Sequence, residues 1–264
     1  MTYHLHITNK NYSSWSLRPW LLLRELDIPF VEEYHEMVSG TFAQPQWRAF
    51  SPTARVPCLH VVPKSQNTQE NKEKEEPLIL WDSLAITEYL SETHPHKPIY
   101  PFHAPARAWA RSAVAEMHSS FGAIRSQLGF NLNIRIRLGP EAFSPDSEAG
   151  RALVADLKRI DELWTEGLRR FGGPFLAGGE FGAVDAFYAP VVLRLGTYVF
   201  GEGVDGILGE EAKGYVEFMV GGEVKGLVEW VNAARGETAR EVVHERECLE
   251  GRGKEVVEVL GVTA

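Results

Sequence analysis

Apolar positions along the chain fall into two blocks with different rhythms. In the first hundred residues short strand-like runs alternate with helical patterns. Tyr3–Ile7 alternates with period two and predicts a strand, while Ser14–Ser16 followed by Leu17, Leu21, Leu22, Leu23 and Leu26 predicts a capped helix with a heavily apolar face. Pro19 fits this helix within about one turn of the cap, where a missing N–H costs nothing. Phe30–Met37, Pro57–Val62 and Leu78–Trp81 predict three further strands, the last two suited to a hairpin. Between those two, Lys64–Glu76 has no apolar residue to bury and predicts a solvated hairpin loop.

From Ser83 the pattern turns helical. Ser83–Thr93 reads as a short helix closed by Pro95 and Pro98, and the proline-rich stretch 95–105 as a linker. Beyond it, Pro105–Asn131, Glu148–Arg170, Val184–Tyr198, Glu210–Val220 and Val224–Ala234 carry apolar residues at helical spacing. Strands first and helices in a separate block predict a small α/β domain (1–94) joined by the linker to an all-α domain (106–264). The tail from Glu237 to Ala264 suits either a solvated helix or a flap over a pocket, and the solvated helix is the expectation taken here.

Composition narrows the function. A formal charge of −9 gives no electrostatic reason to approach nucleic acid or anionic lipid. Cys58 and Cys248 show neither CxxC nor metal-finger spacing, which suits a reducing compartment. The start Met1–Ile7 lacks a signal-peptide pattern, and no run approaches the roughly 20 apolar residues of a membrane span, so a cytoplasmic, non-membrane protein is expected.

Five pieces occur in a characteristic order: Tyr12-Ser13-Ser14-Trp15-Ser16-Leu17-Arg18, Arg55-Val56-Pro57, Asp82-Ser83-Leu84-Ala85-Ile86, Ala183-Val184-Asp185 with Pro190 downstream, and Glu229-Trp230. Together they resemble the glutathione transferases, and the serine turn is most similar to the serine-type, zeta-like group. The resemblance implies a thioredoxin-like N-terminal domain, a helical C-terminal domain, glutathione as substrate or cofactor, and a homodimer. It places Ser13 and Ser14 at the catalytic turn, with Ser13 as the thiolate partner. It places Arg55, Val56, Pro57, Asp82 and Ser83 around glutathione, and Trp15, Met117, His118, Phe121, Arg125 and Arg194 around a small electrophile.

The chemistry behind these roles is general. A free thiol titrates near pH 8.5, and a hydroxyl donated to sulfur at a helix N-terminus stabilises the anion. The serines equally suit plain helix capping. Val56-Pro57 resembles the cis-proline turn whose backbone pairs with an extended peptide, and Asp82-Ser83 opens a helix whose N–H groups suit a carboxylate while the acidic side chain suits an ammonium. Arg18 is expected to make a structural contact under the first helix, and Asp185 to be structural, in a cap where Gly182 replaces the family's usual Ser or Thr. Trp15 stands where zeta-like proteins carry cysteine, which disfavours thiol-disulfide chemistry. The resemblance therefore implies a glutathione S-transferase. The alternatives are a glutathione-dependent cis-trans isomerase resembling maleylacetoacetate isomerase, or a non-catalytic binding protein. Against the isomerase, Thr197 stands where zeta-like enzymes carry a substrate-binding arginine, with Arg194 three residues earlier.

Overall fold

A computed structural model describes residues 1–38, 43–63, 76–200, 206–250 and 254–260. The expected loop Lys64–Glu76 lies, apart from Glu76, outside the described residues. The first domain runs β1 (Thr2–Ile7), α1 (Ser14–Glu25), β2 (Phe30–Tyr34), a 3₁₀ turn (Pro45–Ala49), β3 (Cys58–Val62), β4 (Leu78–Trp81) and α2 (Ser83–Thr93). Its sheet has the order β2-β1-β3-β4, with β1 parallel to β2, antiparallel to β3, and β3 antiparallel to β4. This is the thioredoxin-like arrangement expected. Period two sorts the strand residues: Leu5, Ile7, Leu59 and Val61 join Leu17, Leu21, Leu22, Ile86 and Leu90 of the two helices in one buried cluster. On the other face His6 donates or accepts at His35 (2.8 Å), stacks on Phe50 and meets the tilted ring of His60, ring centroids 4.5 and 4.3 Å away. Burial, then the neighbouring histidines His60 and His35, pull the His6 pKa down to about 4.

The cap of α1 is Ser13, one residue before the expected group, so Pro19 lies at the sixth helical position rather than in the first turn. The helix tolerates it because Leu17, Leu21, Leu22 and Leu23 are all fully buried, which outweighs the roughly 3 kcal/mol an interior proline costs.

The second domain contains α3 (Ala104–Ser119), α4 (Gly122–Gln127), α5 (Glu148–Phe171), α6 (Ala183–Thr197), α7 (Glu210–Val220), α8 (Lys225–Arg235) and α9 (Val242–Leu249). The single helix expected over Pro105–Asn131 is broken: Phe121 adopts φ 61°, and α4 starts afresh. Asp156 of α5 holds the break by accepting the Ala123 and Ile124 amides at 2.9 and 3.1 Å. The region is helical as expected, with one addition, a sheet of order β6-β5-β7 made of β5 (Ile134–Leu138), β6 (Tyr198–Phe200) and β7 (Lys254–Val259). The tail is consequently no solvated helix. Its strand pairs antiparallel with β5, and its helix α9 buries His244 and Cys248.

Helix α6 is buried nearly all round, and Asp185 anchors it. The carboxylate accepts the Leu176 and Gly182 amides (3.0 and 3.1 Å) and the Tyr215 hydroxyl (2.9 Å), and burial raises its pKa to about 6. Gly182 has a packing reason, since a Cβ there would stand 3.0 Å from the Pro98 carbonyl oxygen and 3.1 Å from that of Ile99. The domains join where α1 meets α6 and α8; Trp20 and Trp230 meet edge to face at 5.1 Å, and the Trp230 indole donates to the Lys10 carbonyl at 3.1 Å.

Candidate active site

A cavity of about 780 Å³ lies between the two domains, walled by the start of α1, the turn before β3, the start of α2, and α3, α4, α6 and α9. The turn leading into α1 is held by its backbone. Tyr12 and Ser13 donate their amides to the Asn9 carbonyl (3.1 and 2.9 Å), while Glu237 accepts the Lys10 and Asn11 amides (2.7 and 3.2 Å). Ser13 is the cap: its hydroxyl accepts the Ser16 amide at 3.2 Å and donates to the Ser16 hydroxyl at 2.8 Å. Ser14, the first helical residue, lines the cavity, and among the described residues its hydroxyl has no protein partner. The two serines are thus brought to the cavity, but only one is free.

Opposite, Ala54 turns the chain with φ 55° and Ser51 donates to the Arg55 carbonyl at 2.7 Å, leading into Val56-Pro57, which is cis. The backbone N–H and C=O of Val56 make no hydrogen bond among the described residues. Arg55 stands exposed on the rim. At α2, Asp82 caps the helix by accepting the Leu84 amide at 2.8 Å, at the cost of φ 80°, unusual for a residue with a Cβ. Its second carboxylate oxygen lies 3.4 Å from His118 Nε2. Burial lowers the His118 pKa, with Arg18 and Arg125 adding to it against Asp82, so the ring beside that carboxylate is neutral at pH 7. Ser83 is 1% exposed, lines the cavity, and its hydroxyl has no hydrogen-bond partner.

On the second-domain side Trp15 carries the Arg18 guanidinium at 4.2 Å and that of Arg125 at 4.8 Å from its ring centroid. Met117 forms part of the floor. Arg194 is buried, donates to the Leu128 and Pro190 carbonyls (2.7 and 3.2 Å), and lines the cavity's edge; burial, with the charge of Arg125 adding to it against Tyr198, brings its pKa down to about 10.

Two expected lining residues stand elsewhere. His118 sits behind the wall, edge-on to Trp15 at 5.5 Å, and holds Asp82 rather than facing the cavity. Phe121 is 3% exposed and packs on Tyr188 at 6.2 Å, because the left-handed turn between α3 and α4 drives its ring into the core.

The sequence reading also missed one wall. The tail closes the cavity with His244, Glu247 and Cys248, latched where Tyr12 donates to Glu245, the Glu241 amide donates to Tyr12 (3.3 Å) and Arg240 grips Glu245 at 2.5 and 2.6 Å. Gly129 makes room, since a Cβ there would stand 2.5 Å from Cys248 Sγ. Burial lifts the pKa of Cys248, and that of Tyr12, to about 12, so one stays a thiol and the other a phenol donor.

Against known proteins, residues 12–93 match the family model described as Glutathione S-transferase, N-terminal domain. A glutathione transferase homolog from Burkholderia GL BGR1, solved with bound glutathione, superposes with a TM-score of 0.57 at 20% identity, covering 89% of this chain and 99% of the other. The fold is that of the glutathione transferases. A glutathione transferase from Populus trichocarpa gives a TM-score of 0.60 at 17% identity, covering 88% of this chain and 99% of the other, and glutathione transferase Omega 3C from Trametes versicolor gives 0.54 at 20%, covering 91% of each. No curated protein matches the chain by sequence. The matched family segment holds the turn into α1, the Val56-Pro57 turn and the start of α2, which are the first-domain walls of the cavity. Among the described residues no helix is long and apolar enough to cross a membrane, and no cluster of His, Cys, Asp and Glu is set to hold a metal.

Proposed function

We propose that the chain is a glutathione S-transferase that ionises the glutathione thiol and directs it at a small electrophile in the interdomain cavity. The observation carrying this reading is Ser83: a hydroxyl buried at a helix N-terminus beside the Asp82 carboxylate, lining the cavity with no partner of its own. A buried unsatisfied hydroxyl costs about 1–3 kcal/mol unless a ligand supplies its hydrogen bond. The γ-glutamyl end of glutathione offers a carboxylate for Ser83 and the α2 amides, and an ammonium for Asp82. The unpaired backbone of Val56 suits the amides of an extended peptide.

Ser14 takes the thiolate in this reading. Its free hydroxyl stands at the N-terminus of α1, whereas Ser13 is spent on the cap, which reverses the order expected from the resemblance. In the reaction the thiol proton leaves to solvent and the sulfur lone pair forms the bond to carbon. A leaving group departs with its electron pair, or an activated double bond takes a proton from water. The serine hydroxyl donates to sulfur and stays protonated. Dimerisation and a cytoplasmic setting belong to this proposal through the resemblance. Isothermal titration tests it: glutathione should bind at millimolar concentration or below, and cysteinylglycine, which lacks the γ-glutamyl end, far more weakly. Absence of glutathione binding would favour a non-catalytic protein.

A further inference from the structure

Arg18 packs under α1, as its position suggests, but its polar groups are not all satisfied there. It is 3% exposed, yet its Nε and Nη1 have no hydrogen-bond partner, and it rests only on the rings of Trp15 and Phe187, at 4.2 and 4.9 Å. Arg125 lies on the other guanidinium contact of the same indole, with Nε also unpartnered although its Nη2 donates to the Met117 and His118 carbonyls. Arg194, 6% exposed, completes a group of three, all lining the cavity. The carboxylates within reach are committed elsewhere: Asp82 to the Leu84 amide and His118, Asp156 to the first amides of α4. Glu247 also lines the cavity but is exposed, with His244 Nδ1 3.7 Å away. Burial and the charges of Arg125 and Arg194 drive the Arg18 pKa well down, and the charge of Asp82 offsets this only in part. Such an arrangement is costly unless an anion completes it.

Resting on the transferase reading above, we infer that the electrophile carries a carboxylate, bound by the unpaired N–H groups of Arg18 and Arg125 beside Trp15. The location separates this anion from glutathione. The proposed glutathione cradle is on the first domain, at Val56, Asp82 and Ser83. Arg18 instead lies one turn beyond Ser14 on α1, facing Arg125 of α4 and Arg194 of α6, on the co-substrate side of the sulfur position. Guanidinium groups with unpaired N–H groups take planar carboxylates.

The test compares 4-chloro-3-nitrobenzoate with its neutral carboxamide by isothermal titration, in the absence of glutathione, on the whole protein. The wild type should bind the acid at least about tenfold tighter than the amide. Arg18→Gln and Arg125→Gln should each bring that ratio near one, and Arg125→Lys should restore part of it. Because the ratio is internal to each variant, Arg125→Gln decides the matter if Arg18→Gln does not fold. A wild-type ratio near one, or a ratio unmoved in the Gln variants, would overturn the inference. Glutathione binding without acid preference removes this inference alone, whereas acid preference without glutathione binding removes the transferase reading alone.

Discussion

Ser13 and Ser16 lock one another at the mouth of α1, the Ser13 hydroxyl accepting the Ser16 amide at 3.2 Å while donating to the Ser16 hydroxyl at 2.8 Å. The neighbouring Ser14 is left as the hydroxyl free to meet a ligand. Ser14→Ala should therefore raise the pKa of bound glutathione by about one unit and lower turnover more than affinity, since a donor interacts more strongly with thiolate than with thiol. Ser13→Ala should instead cost about 1 kcal/mol of stability as a lost helix cap. Ultraviolet titration of bound thiolate, paired with urea unfolding, checks both; a pKa that moves only in Ser13→Ala would return the thiolate role to that residue.

Ser83→Ala separates binding from folding. Removing a buried hydroxyl that has no partner should leave the melting temperature of the free protein unchanged or slightly higher, while glutathione affinity falls about tenfold. A fall in melting temperature with unchanged affinity would show that the hydroxyl serves the fold.

The histidine stack on the outer face of the first sheet sets an acid limit. His6 has its pKa depressed to about 4 in the folded protein, against 6.5 ordinarily, so the unfolded chain takes up a proton first. Its contribution is present above pH 6.5 and is lost as pH falls from there through about 4. His6→Phe, which keeps a ring against Phe50, should remove this dependence. The wild-type minus variant unfolding free energy should then fall with acidification by at most about 1.4 kcal/mol per pH unit, measured with urea at several pH values between 7 and 4. Asp185, whose raised pKa acts in the opposite sense, is common to both proteins and cancels in the difference.

Asp185→Ala should destabilise by at least about 3 kcal/mol, because it strands the buried Leu176 and Gly182 amides and the Tyr215 hydroxyl together. Denaturant unfolding measures this directly. A loss below about 1 kcal/mol would mean that water replaces the carboxylate.

The first domain was readable because each of its elements has a local signal: period two in Tyr3–Ile7, a serine cap before a leucine face, an acidic residue and serine opening α2. The sheet of the second domain had a signal too, for Ile134-Arg135-Ile136-Arg137-Leu138 alternates cleanly between Asn133 and Gly139, yet its partners lie more than 50 residues away in sequence. The break at Phe121 had none, as it depends on Asp156 reaching across from α5. In the site, the resemblance pointed to Ser13, Ser14, Asp82 and Ser83, with Ser13 as the thiolate partner. It could not tell which serine would be consumed by the cap, nor that Arg18 would be buried without a partner, since both depend on side-chain geometry. The tail wall was the least legible part: Cys248 and His244 reach the cavity only through contacts with Gly129 and Phe130, over 110 residues earlier.

The latch between Tyr12 and Glu245 has a consequence for timing. During synthesis the serine turn emerges early, the Arg125 side of the cavity well after it, and the segment carrying Glu237, Glu245 and Cys248 last among the walls. Until that segment has left the ribosome the Lys10 and Asn11 amides lack their carboxylate acceptor and the cavity stands open on one flank. A nascent chain halted before about residue 237 therefore cannot complete its pocket. For the same reason, a reporter fused just after α9 would sit beside the site and interfere with it, whereas one fused ahead of β1 would not carry its bulk on the helix that forms this wall.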